Sequence, residues 1–369
     1  MPAYVGTRSR IVAAVAIVAS LSTLLLRVAG AEGVLVFAVS AVGLAGLAAL
    51  VGEGTDQLGH RLGPGATGVL QSALGNLPEF FIGIFALRAG LVDVVRSALV
   101  GSILANTLLV LGLAFIAGGL RHGPQKFGTD QTKMMSTLLV LAVAAMVIPT
   151  IAAGPGGPEH GHEIELSVVV SVVLLAVFAA SLPFSINRGM VVGSADSVPA
   201  ETGRADSRAP SALWPLPMAL GVLLAAGIGS AFVSDWFVEA LQPAMRSLGM
   251  SEAFAGLVVV AIAGNAVENV VGVQAMLADR GDLAISLILN SSLQVALALT
   301  PVLVLLSLLM GGAALTLTLT PLLIAALALA TLLAALVVID GESTWLEGLA
   351  LVGLYVIVAA SVWWGAPIA

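Results

Sequence analysis

The chain has no cysteine, which excludes disulfides, thiolate zinc sites and iron–sulfur ligation. Charge is nearly as scarce. Asp, Glu, Lys and Arg make up 9% of the 369 residues, against about 25% in ordinary globular proteins. Basic residues number 14 against 21 acidic ones, a net charge of −7, and they form no stripe. That balance excludes nucleic acid as a partner, because phosphates are neutralised by clustered Lys and Arg. Aromatics are only 5%, and the four histidines (His60, His122, His160, His162) all fall in predicted loops. A membrane-embedded metalloenzyme would want imidazole or carboxylate ligands at metal-binding spacing within the spans, so this alternative is disfavoured. What fills the chain instead is apolar: 59% hydrophobic residues and a mean hydropathy of +1.10. Such a chain cannot cover a water-facing surface, so the lipid bilayer is its solvent. The 41 glycines suit helices that approach backbone to backbone in lipid.

Apolar runs of membrane-spanning length predict eleven helices, near 11–28, 33–51, 65–89, 92–118, 132–153, 165–184, 213–233, 252–278, 282–309, 312–338 and 344–364. The breaks carry turn chemistry or charge: Glu53-Gly54-Thr55-Asp56, Arg121-His122-Gly123-Pro124, the Gly/Pro run 154–158, Asp279-Arg280-Gly281-Asp282 and Asp340-Gly341-Glu342. The fold class is therefore an all-α polytopic membrane protein. With the N-terminus cytoplasmic, ten basic residues lie inside and four (Arg27, Arg88, Arg96, Arg246) outside, as the positive-inside rule requires. Residues 8–32 also have features of a signal peptide, with Arg8 and Arg10 before an apolar stretch and Ala29-Gly30-Ala31 as a cleavage site, although the stretch is long for one.

Residues 75–112 align without a gap on 264–301, at a constant offset of 189 residues. Gly75/Gly264, Asn76/Asn265, Glu79/Glu268, Gly83/Gly272, Asp93/Asp282, Ser97/Ser286 and Ser102/Ser291 coincide. Matched Leu or Ala would mean little between apolar helices, but matched Asn, Glu, Asp and Ser mean a duplication. The expected organisation is a leading helix in 1–32, a five-helix repeat in 33–184, a polar cytoplasmic linker in 185–212 and a second repeat in 213–369. Five is odd, so the second copy is inverted. Inverted repeats are an architecture of secondary transporters, with the substrate where the copies meet, though channels also have them.

Nearly all the acids belong to predicted loops or helix ends. Glu79 and Glu268 do not. Each lies well inside an apolar span, where an ionisable group costs several kcal/mol unless a partner meets it and by default marks an ion or proton path. Asn76 and Asn265 sit three residues earlier, on the same helix face, while Gly75, Pro78 and Gly264 weaken the helix there. Carboxylate, amide oxygen and freed backbone carbonyl are hard ligands, suited to calcium rather than to a transition metal. Ser102, Asn106, Ser291, Ser292 and Gln294 on the following helices are either further ligands or ordinary bridges between helices. Asp93 and Asp282 are expected to cap helices. Glu159, His160, His162, Glu163 and Glu165 read as a solvated loop.

GNLPE followed by GSILAN, and GNAVEN followed by NSSLQVAL, with the entry Glu53-Gly54-Thr55-Asp56-Gln57-Leu58 and Arg61-Leu62-Gly63, resemble the calcium/proton antiporter (CAX) family of the cation/calcium exchanger superfamily. The resemblance implies the family's eleven-helix fold, with one leading helix and two inverted five-helix repeats. It implies Glu79 and Glu268 as the calcium and proton ligands, surrounded by Gly75, Asn76, Gly264, Asn265, Ser102, Asn106, Ser291 and Gln294. No cofactor is expected; Ca2+ and H+ are the cargo, and a prokaryotic inner membrane is the expected location. The chain departs from the family pattern at Leu77-Pro78, which looks more like the sodium/calcium exchangers, at Asn269 where histidine is common, and at Asn290 where glycine is usual. The acidic stretch common between the family's halves is reduced here to Asp196, Glu201 and Asp206. A sodium/calcium exchanger is the nearest alternative, and a cation channel a more distant one.

Overall fold

The computed structural model describes residues 6–62, 74–154, 161–187 and 214–364. Helix follows helix: α1 (Thr7–Val28), α2 (Gly33–Leu62), α3 (Leu77–Arg88), α4 (Val92–His122), α5 (Thr129–Ala153), α6 (Glu163–Asn187), α7 (Leu216–Leu248), α8 (Glu252–Gly264), α9 (Ala266–Leu277), α10 (Gly281–Leu309), α11 (Pro321–Val338) and α12 (Trp345–Trp363). Among the described residues nine helices are long and apolar enough to cross a membrane, and α8 with α9 makes a tenth span bent by 64°. The protein is an all-α, multi-pass integral membrane protein. Of the span expected at 65–89 only the part from residue 74 is described, and the linker, Glu159 and His160 lie outside the described residues.

The centre is built from α4 and α10, the two most buried helices. Each widens into one π-helical stretch, Ala105–Val110 in α4 and Val295–Leu299 in α10, at corresponding places in the aligned repeats. Such wide turns locally re-aim side chains and recur at functional sites. Across α4 the backbone of α8 passes very close: a Cβ on Gly101 would stand 2.2 Å from the Leu257 carbonyl oxygen, and one on Gly256 would stand 2.3 Å from that of Val94. Only glycine admits these crossings.

On one flank α2 and α7 lie along each other, with Phe37 stacked on Phe237 at 4.7 Å and Gly54 against Ala219 and Leu223. Both outrun the apolar runs expected to end at 51 and 233. Hydropathy reports where the hydrocarbon ends, whereas the backbone hydrogen-bond ladder continues as long as the helices have each other to pack on. Glu53, Asp56, His60, Asp235 and Glu239 are consequently helical and not in loops. Glu53 accepts a hydrogen bond from Ser9, Gln57 accepts one from the Trp214 amide at 2.9 Å, and Glu239 pairs with Arg27.

A second departure lies at 313–320, inside the span expected at 312–338, where the chain is irregular and α11 starts only at Pro321, with Thr320 as its cap. Gly311 turns the chain at φ 72°. Leu315, Leu317 and Leu319 are buried, and their amides donate to the hydroxyls of Ser307, Ser167 and Thr150 at 2.9, 3.0 and 2.8 Å. Three helices thus supply the acceptors that a non-helical backbone needs inside a membrane protein. In the other copy the corresponding connection holds β1 (Gln125–Lys126), paired antiparallel with β2 (Glu342–Ser343).

Asp93 and Asp282 are not caps. The Asp282 carboxylate accepts from the Gly128 amide at 2.5 Å, and Asp93 accepts from Arg96, whose guanidinium also donates to the carbonyl and hydroxyl of Thr316. Asp282 directly, and Asp93 through Arg96, tie the starts of the central helices to these connecting segments. At the α5–α6 connection His162 stands 3.9 Å from Glu165, both exposed, as in a solvated loop.

Candidate functional site

The chain breaks twice in the same way. Asn76 (φ −93°, ψ 16°) precedes α3 and Asn265 (φ −102°, ψ 19°) precedes α9, so Glu79 and Glu268 each occupy the first turn of the helix that follows. A carboxylate there faces the positive end of a helix dipole, which lowers the cost of charge inside the membrane. Pro78 sits in that first turn, where it sacrifices no helical hydrogen bond. Gly75 lies in the turn before Asn76. Gly264 lies against the site itself: a Cβ there would be 2.4 Å from Cγ of Glu79.

The two copies interlock. Glu79 is buried; its Oε1 accepts from the Ser102 hydroxyl and, at 2.5 Å, from Nδ2 of Asn265 in the other copy. Nδ2 of Asn76 donates to Oε1 of Gln294 at 3.0 Å, and Nδ2 of Asn106 to Oγ of Ser291 at 2.9 Å, so both again cross between copies. Oγ of Ser291 in turn reaches Oδ1 of Asn265 at 3.5 Å, while Nδ2 of Asn265 also donates to the Ala261 carbonyl at 3.1 Å, which accepts the Asn265 backbone amide as well. Gly264 and Asn265, four and three residues before Glu268, both lie against Glu79. All ten residues singled out from the sequence thus fall on the two breaks and the paired central helices. The difference is in the pairing: the expectation of each Asn beside its own Glu gives way to contacts across the repeats, which spacing along one helix cannot reveal.

Oε2 of Glu79, Oε2 of Glu268 and Oδ1 of Asn106 are buried with no hydrogen-bond partner. Unmatched buried acceptors are costly. Oxygens of this kind, two carboxylate and one amide, are what a hard cation takes as ligands. Among the described residues no three His, Asp or Glu side chains come together, so the donor set is two carboxylates and uncharged oxygens. A narrow cavity of about 20 Å³ reaches Glu79 and Ser102 between Ile82, Ala86, Leu99 and Leu303, room for about one water.

A bent helix pair and a second, matching break, each followed by a glutamate in the first turn of the next apolar helix, fit a membrane transporter class. The profile of the sodium/calcium exchanger protein family matches residues 32–187 and 218–364, and the chain belongs to that family, in its calcium/proton antiporter branch. The chain is 34% identical to a Ca(2+)/H(+) antiporter of Synechocystis, over 88% of its own length and 89% of that protein. It is 33% identical to the Ca(2+)/H(+) antiporter ChaA of Bacillus subtilis, over 88% and 90%. Among solved structures, native YfkE superposes with a TM-score of 0.80 at 29% identity, covering 95% of this chain and 99% of that one. The fold is also shared with the H+/Ca2+ exchanger CAX, at TM-score 0.72, 15% identity and coverage of 96% and 92%.

Proposed function

We propose that the protein exchanges Ca2+ for H+ across the membrane, the two ions competing for Glu79 and Glu268. The observation that carries this reading is the cluster itself, in which Glu79 at one break is held by Asn265 from the other, and buried oxygens of Glu79, Glu268 and Asn106 are left unmatched by donors. Two carboxylates at one buried place do not both stay ionised alone; either protons or a divalent cation neutralise them. Occupancy by one or the other, and not by neither, couples the two fluxes. The printed names of the relatives from Synechocystis and B. subtilis support the same pair of ions.

In this reading eleven spans form a leading helix (1–32) and two inverted repeats (33–184 and 213–369) joined by 185–212, with the N-terminus cytoplasmic in a prokaryotic inner membrane. Asn76, Asn265, Ser102, Asn106, Ser291 and Gln294 hold or complete the site, and Gly75 and Gly264 give it room. Access alternates as α3 and α9 move against α4 and α10. The cavity beside Glu79 extends past Ala86 and Val94, toward the external side in this orientation. An inward proton gradient then drives calcium outward.

Proton movement driven by calcium in sealed vesicles tests the proposal. Glu79→Gln and Glu268→Gln each abolish it while the protein stays folded; full activity in either variant sinks the assignment. Leu77-Pro78 favours a second reading, sodium-driven exchange at the same site. Calcium flux driven by sodium at clamped pH would select it.

A further inference from the structure

Helix α3 has two faces. Glu79, Ile82 and Ala86 turn inward to the ion site, and Leu77, Phe81, Phe85 and Arg88 line a groove of about 830 Å³ against α7. The helices approach at the deep end, where a Cβ on Gly227 would be 3.8 Å from Leu77. Leu224, Ile228 and Phe232 form the opposite wall, all strongly exposed. The groove's other end is charged, with Arg88 on α3 and Asp235 on α7. Both are exposed, and among the described residues neither has an ion-pair partner; the Arg88 guanidinium rests 6.0 Å from the Phe85 ring. One step along α7, Trp236 and Glu239 engage Arg27, whose guanidinium lies 5.4 Å from the Trp236 ring. A Trp–Arg belt of this kind marks the level of lipid headgroups, so the groove runs from headgroup level into the hydrocarbon.

We propose that this groove holds one phospholipid with a primary-amine headgroup, its phosphate on Arg88, its ammonium on Asp235 and an acyl chain along Leu77, Phe81 and Ile228. The charge pattern selects among bilayer lipids. A phosphate accepts from guanidinium N–H groups, and an ammonium donates to a carboxylate. A quaternary choline headgroup has no N–H to donate, and an anionic glycerol headgroup offers no cation to Asp235. The chain lies on the back of the helix that carries Glu79.

The experiment reconstitutes the full chain in vesicles of equimolar phosphatidylethanolamine, phosphatidylcholine and phosphatidylglycerol. It is then extracted in mild non-ionic detergent, and retained lipid is counted by native mass spectrometry. Phosphatidylethanolamine is expected to be enriched about threefold over the other two, the worth of one or two exposed charge contacts. Arg88→Gln and Asp235→Asn each abolish the enrichment at unchanged thermal midpoint, and Arg246→Gln, which lies off the groove, preserves it. Equal retention of all three lipids, preference for phosphatidylglycerol, a second copy of the chain in place of lipid, or enrichment that survives both groove substitutions would overturn the proposal.

Discussion

Glu79 is held by groups that come from opposite halves of the chain, and its position is sensitive to them. A methyl on Gly264 would overlap its Cγ at 2.4 Å and crowd Oε1 at 3.2 Å. The side chain has hydroxyl and amide partners on Oε1, so it yields only by leaving them. Gly264→Ala is expected to lower calcium-driven proton movement by about tenfold or more, since a misplacement of about 1 Å at a reacting centre costs that much. Its thermal midpoint changes little, and vesicle flux beside a melting curve separates the two effects. At this scale the sequence was informative. Two acids stand in apolar spans, and their Asn neighbours coincide across the repeat. The need for glycine at 264 was legible only as helix weakening; its contact is with a carboxylate 185 positions earlier in the chain, and no local pattern encodes that.

Elements are set by packing as much as by hydropathy. Helices α4 and α8 cross with backbone nearly touching at Gly101 and Gly256. A side chain there meets main-chain atoms, which cannot move aside as a flexible side chain would. Gly101→Val is therefore expected to exceed the usual 1–3 kcal/mol cost of overpacking, read as a large fall in the detergent melting temperature or loss of folded protein. The segment 313–320 carries a local signal of its own against helix. Its Leu-Thr alternation has period two, Gly311-Gly312 precedes it and Pro321 follows, all arguments against helix. Uniform apolarity over 312–338 concealed them. In contrast, nothing in the sequence marks the π-helical turns of α4 and α10, because they depend on the helices around them.

For the whole molecule, the proposed ligation of calcium by Glu79 and Glu268 would tie the two halves of the chain together. Calcium should raise the thermal midpoint, by about 2.7 kcal/mol of stability at one hundred times its dissociation constant. In the proposed exchange protons compete for the same carboxylates, so the calcium-induced increment is expected to shrink as pH falls and to grow as it rises. The Glu79→Gln/Glu268→Gln double variant loses the increment at every pH. Melting curves with and without calcium across a pH series measure it; an increment that persists in the double variant places the cation elsewhere.

Composition and hydropathy along the chain determined by themselves that this protein is helical and lives in a membrane, because lipid tolerates no other balance of polar and apolar residues. The ungapped repeat singled out Glu79, Glu268 and their neighbours, because duplicated polar residues in apolar spans are too costly to persist by chance. Tertiary structure alone decided which of them meet. Asn265 serves Glu79, Asn76 serves Gln294 and Asn106 serves Ser291, all between copies. It also decided that α2 and α7 continue beyond the apolar runs expected to end at 51 and 233, and that α3 presents a groove with Arg88 and Asp235 at its end. Those features depend on which helices lie side by side, and contacts between residues about two hundred positions apart leave no periodicity in either segment.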